Sequence, residues 1–99
     1  MMLCRVAKKP DDRLGLVVFL LLGRASDGVL IGDSWYHFRK GRFRCGHKSA
    51  IERRGGFVVT PVREATPGDI AHFERAVGRR WGWRHNCLTT VTWWLMRNP

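Results

Sequence analysis

The sequence predicts an α+β domain, a small antiparallel sheet followed by two C-terminal helices. Three observations lead there. Short runs of β-branched and aromatic residues, separated by Gly, Asp and Ser turns, fill much of the chain as far as residue 62. Beyond residue 65 the apolar spacing lengthens to the helical period, with capping residues at two starts. An apolar fraction of 44%, with five Trp and five Phe in 99 residues, supplies one core and excludes a disordered chain.

Residues 1–13 mix charges with Pro10, Asp11 and Asp12 and read as a mobile arm or short edge strand, leaving 14–99 as a single domain. Leu16 to Leu22, bounded by Gly15 and Gly23, has the continuous apolar character of a strand covered on both faces. The apolar stretch from Leu14 is only nine residues long, whereas a membrane-spanning helix needs about 20. It also makes a poor signal core. Asp11 and Asp12 interrupt its basic lead, and Arg24 stands where small residues should precede cleavage. Val29–Ile31 and Trp35–Arg39 read as two strands around the turn Gly32-Asp33-Ser34. Alternation puts His37 on the face of Trp35 and Arg39, opposite Tyr36 and Phe38. Lys40-Gly41 turns the chain, and 42–56 reads as a long basic loop. Phe57–Val62 is a strand that Pro61 confines to an edge or an end. Thr66-Pro67-Gly68-Asp69 then opens a helix, with Ile70, Phe73 and Val77 on one stripe and Gly78 as its stop. Asn86 caps a second helix over Cys87–Met96, with Leu88, Val91 and Leu95 on one face.

Charge is the most unusual property. Eighteen Lys and Arg against eight Asp and Glu give a net +10, which draws anionic partners such as nucleic acid, phospholipid, cell-wall polymer or an acidic protein. The cations concentrate at Arg39, Lys40, Arg42, Arg44, Lys48, Arg53 and Arg54, and again at Arg79, Arg80 and Arg84, where Trp81 and Trp83 alternate with them. Arg interleaved with aromatics suits a phosphate backbone and its bases. No helix-turn-helix, RRM, KH or zinc-finger signature accompanies it. Trp93-Trp94 either completes the core or forms a partner contact. Three scattered cysteines favour reduced thiols, and hence a cytoplasmic or virion-associated setting over a secreted one.

Cys87 is the strongest chemical candidate. Placed first after an Asn86 cap, it meets the unpaired N–H groups and positive end of a helix, which favour a thiolate. His37 is a rigid strand-borne base candidate, and His85 stands beside the cap. His47 falls in the basic loop, and His72 on the outer face of the first helix. Cys45-Gly46-His47 and His85-Asn86-Cys87 offer four zinc-competent groups, but single-residue spacing is not that of a zinc knuckle. No metal or other cofactor is therefore assigned.

The segment Ser26-Asp27-Gly28-Val29-Leu30-Ile31-Gly32-Asp33-Ser34-Trp35-Tyr36-His37-Phe38, with Asn86-Cys87-Leu88-Thr89-Thr90-Val91 after it, resembles the circularly permuted papain-like family. That family includes lecithin:retinol acyltransferase-like and NlpC-type proteins. The resemblance spans residues 16–96 and implies an α+β fold, a thioester mechanism, and amidase, peptidase or acyltransferase activity on a peptide or amide; the excess of basic residues would steer an anionic substrate such as cell-wall polymer to such a site. The resemblance matches Cys87 to the nucleophile and His37 to the polar, often His, position on the second strand of the pair. On our reading of the residues His37 then serves as base with Asp27 as third member, and His85 and Asn86 assist the helix N–H groups at the oxyanion. One departure matters. The family's principal histidine usually begins the first strand of the pair, where this chain has Ser26-Asp27-Gly28, and an Asp is a poor base near neutral pH. Two functions follow: a thiol hydrolase running on Cys87 and His37, or a non-catalytic basic protein of a virion or nucleic-acid assembly on the same scaffold.

Overall fold

A computed structural model describes residues 1–8 and 28–98, without the side chains of Cys87 and Leu88. The strand expected at 16–22 and the candidate Asp27 lie outside the described residues. Five strands, β1 (Met2–Lys8), β2 (Gly28–Ile31), β3 (Ser34–Arg39), β4 (Arg42–His47) and β5 (Phe57–Glu64), form one antiparallel sheet in the order β4-β3-β2-β1-β5. Helix α1 (Ser49–Arg54) joins β4 to β5. Helix α2 (Pro67–Ala76), a π-helical stretch (Cys87–Thr92) and α3 (Trp93–Arg97) complete the chain. The α+β class and the two C-terminal helical segments are as the sequence predicts.

Two expected secondary-structure assignments give way. Residues 2–8 are no arm or edge strand: β1 sits inside the sheet, between β2 and β5. Its ladders reach residues 28–31 and 57–64, so pairing that is distant in sequence holds it against a charged local composition. The basic loop at 42–56 is instead β4 and α1, because Phe43 turns inward between exposed Arg42 and Arg44 while Ile51 buries the inner side of α1. At the β3–β4 turn Lys40 and Gly41 both have positive φ, 53° and 77°, which suits the twist of a two-residue hairpin. Gly28 is required by close approach, since a Cβ there would lie 2.3 Å from the carbonyl oxygen of Tyr36.

The sheet carries a core on each face. One face buries Leu3, Val29, Ile31, Tyr36 and Phe43 under Phe73 and Ala76 of α2 and Val91 of the π-helical stretch. The other buries Val6 and Trp35 under Ile51, with Leu30, Ala50 and Phe57 at its margin. Consecutive residues of β3 therefore serve different cores, Trp35 and His37 on one side, Tyr36 and Phe38 on the other.

The C-terminal helices are tied to the first face by polar contacts. Thr66 caps α2 by accepting from the Asp69 N–H, and Asp69 in turn accepts from the Thr66 N–H, a complete capping box. The fully buried Asp69 carboxylate also takes both prongs of Arg63, and the Trp94 indole N–H at 2.8 Å. His72 departs from the solvated position expected of it. Its ring stacks on Trp94 at 3.9 Å, and its Nε2 hydrogen bonds the Thr90 carbonyl at 2.8 Å.

Candidate functional site

The predicted Asn86 cap is present in full. Its Oδ1 accepts from the Thr89 N–H at 3.0 Å, and the Thr89 hydroxyl accepts from the Asn86 N–H at 2.9 Å. Cys87 thus begins the π-helical stretch, as its spacing predicts. The Asn86 amide is committed elsewhere too, since Nδ2 donates to the Gly82 carbonyl at 3.0 Å. An oxyanion would have to displace those bonds. His85 lies beside Arg79, whose guanidinium donates toward its Nδ1 at 3.3 Å.

His37 is not brought to that helix. It projects from the face opposite Tyr36, and the helical stretch that Cys87 opens packs Val91 on the Tyr36 side. The sheet stands between the two elements. His37 stacks on Trp35 at 3.8 Å with nearly parallel rings, and it is only 7% exposed. Burial, followed by repulsion from Arg54, Arg39 and Arg44, pulls its pKa down to about 4. That is far from the value near operating pH that an efficient general base needs. The hollow beside it, about 160 Å³, is walled among the described residues by Lys8, Trp35, Phe38, Arg54 and Phe57, none of which is a thiol or carboxylate. A second hollow of about 290 Å³, by His72, Trp93, Trp94 and Arg97, has its imidazole already bonded to the Thr90 carbonyl.

The neutral, buried state of His37 makes stability fall in mild acid. An unfolded His titrates near 6.5 and this one near 4, so between those values the unfolded chain holds the extra proton. The contribution is fully present above about pH 6.5 and lost as pH falls toward 4, about 3 kcal/mol in all. Burial lowers the His72 pKa and acts in the same direction. Urea unfolding at several pH values should show this slope, and His37→Phe should flatten it. An unchanged slope in the variant would assign the acid sensitivity to other groups.

The other sulfur and imidazole candidates do not converge. Cys45 lies exposed on β4, in register with Tyr36, and His47 accepts from the Ser49 N–H through Nδ1. Among the described residues no three His, Cys, Asp or Glu side chains are grouped to hold a metal ion.

Among the basic residues singled out in the sequence, Arg39, Arg42 and Arg80 are brought side by side. The chain after α2 returns along β4 and forms an antiparallel bridge between Arg42 and Arg80. Phe43 N–H to Arg79 O at 2.9 Å, Gly78 N–H to Phe43 O at 2.8 Å and Trp81 N–H to Gly41 O at 2.7 Å secure it. Arg39 is already the register partner of Arg42 across the β3–β4 hairpin. Three exposed arginines, Arg39, Arg42 and Arg80, therefore stand side by side on neighbouring segments, where opposed like charges are unfavourable. Lys40 and Arg79 adjoin them in the chain, Arg44 donates to the Arg39 carbonyl at 3.2 Å, and Arg84 follows Trp83, all four exposed. Among the described residues none of these seven forms an ion pair; the salt bridges there join the N-terminus to Glu64, Lys48 to Asp33 and Arg63 to Asp69. Residues 34–51 and 75–98 contain no Asp or Glu at all. The sequence names both clusters but not their contact, which rests on one bridge between segments far apart in the chain.

Among the described residues no helix is long and apolar enough to cross a membrane. No family profile, curated protein or solved structure matches the chain.

Proposed function

We propose that the protein is a non-catalytic binding module for a polyanion, of which nucleic acid is the leading candidate. The observation that carries this reading is the Arg39–Arg42–Arg80 row, which holds like charges together without a counter-charge among the described residues. A phosphate chain laid along the row would relieve the repulsion and release its own counterions. The opposed placement of His37 and the Cys87 helix argues against a hydrolase built on that pair. Thiol chemistry at Cys87 would need a base other than His37.

Salt dependence tests the proposal. Binding of a labelled single-stranded DNA oligonucleotide should weaken steeply between about 50 and 200 mM NaCl, with log K falling by about 0.7 per phosphate contacted for each unit of log salt. Arg42→Ala with Arg80→Ala removes two contacts and should flatten that slope by about 1.4. No salt-dependent binding to DNA, RNA or polyphosphate would refute a polyanion function.

A further inference from the structure

The row of arginines says only that the partner is anionic; the tryptophans beside it say more. Trp83 is 97% exposed and Trp81 62%, both within a stretch whose backbone is held in place. Trp81 is anchored to Gly41, while Gly82 donates to the His85 carbonyl at 2.8 Å and accepts from Asn86. Large aromatic rings are seldom left almost wholly in water, and these two are carried on a short bent segment with arginines on either side. Each ring is followed or preceded by a cation, in the order Arg80, Trp81, Gly82, Trp83, Arg84. A fully exposed indole offers its face to a flat partner.

Resting on the polyanion reading above, we infer that this surface selects single-stranded nucleic acid, with unpaired bases stacking on Trp83 and Trp81 while Arg39, Arg42, Arg80 and Arg84 follow the phosphates. Duplex bases are already stacked on one another and do not offer their faces, whereas single strands present both charge and ring. An anionic membrane surface would also attract Trp and Arg, but it favours an apolar face separate from the charged one. Here the two residue types alternate along a single segment.

The experiment compares four probes at one salt concentration with the intact chain: a single-stranded thymidine oligonucleotide, a DNA duplex, base-free inorganic polyphosphate, and phosphatidylglycerol–phosphatidylcholine vesicles. The oligonucleotide should bind tightest and quench tryptophan emission. Trp83→Ala should weaken it by about tenfold and leave the salt slope unchanged, while Trp83→Phe should keep most of the affinity because Phe still stacks. Equal affinity for polyphosphate or duplex, with no effect of Trp83→Ala, would overturn base stacking but leave the polyanion function standing. Preferential vesicle binding with a blue-shifted emission would replace nucleic acid by a membrane surface. Absence of salt-dependent binding to every probe would remove both conclusions together.

Discussion

Replacing Asp69 with Ala is expected to lower the unfolding free energy by about 3–5 kcal/mol, the range for stripping one partner from a buried ion pair. Asp69 is fully buried and gathers Arg63, Thr66 and Trp94 around one carboxylate, so its loss acts on three elements. The Arg63 guanidinium, 18% exposed, would keep its charge with no acid to meet it. The α2 cap would lose its second half, and the Trp94 indole N–H its acceptor. Arg63 foremost, then the Thr66 amide and Trp94, hold the carboxyl far below the usual carboxylate range, outweighing the opposite push of burial. The sign follows. The unfolded carboxyl takes up a proton near pH 4 and the folded one resists it, so this stability is present above about pH 4 and lost on further acidification. Urea unfolding should show both the loss at neutral pH and a flatter acid limb in the variant. A loss below about 1 kcal/mol would mean that Arg63 finds another partner or reaches water. Substituting Arg63→Met and Asp69→Leu together should recover much of the loss, because a well-packed apolar pair can replace a buried ionic one.

Phe73→Ala should cost about 3–5 kcal/mol through a cavity at the centre of the larger core. Phe73 is fully buried, with its ring 5.8 Å from that of Tyr36, 6.4 Å from Phe43 and 6.5 Å from Trp94. It thus joins α2, two strands and the C-terminal helix at one point. Phe73→Leu keeps the apolar character and most of the volume and should cost less than half as much. The comparison is with the arginine row, where single Ala substitutions should change stability by no more than about 0.5 kcal/mol while affecting binding. Parallel thermal melts decide it: a Phe73→Ala variant as stable as the parent would mean the surrounding rings had closed the void.

Local chemistry carried the legible parts of the fold. The β2–β3 hairpin followed from Gly32-Asp33 between β-formers, both helix starts from Thr66 and Asn86, and the outer position of β5 from Pro61. The elements without a local signal owe their structure to distant partners. Arg42-Phe43-Arg44 has the alternation of a strand, but one inward phenylalanine among so many cations was too weak a signal without β3 beside it. Cys4-Arg5 in β1 gave no apolar periodicity, and the strand is defined by neighbours at 28–31 and 57–64. Candidate-site residues divide in the same way. Alternation placed His37 with Trp35, as observed, but which face the C-terminal helices would cover depended on Phe73 and Val91 meeting Tyr36. The basic residues were visible individually; the row they form required Arg80 to return to Arg42.

The internal place of β1 has a consequence for how the chain acquires its structure. On one side it pairs Met2 with Glu64 and Lys8 with Phe57, so that ladder closes the widest loops in the sheet. During synthesis β1 is made well before β5 and must wait for it with one row of amides and carbonyls unmatched. Long-range closures of this kind slow folding and leave the waiting strand open to wrong partners. A nascent chain halted before residue 57 would therefore present an adhesive edge, and a chaperone that engages extended segments would find its natural foothold there.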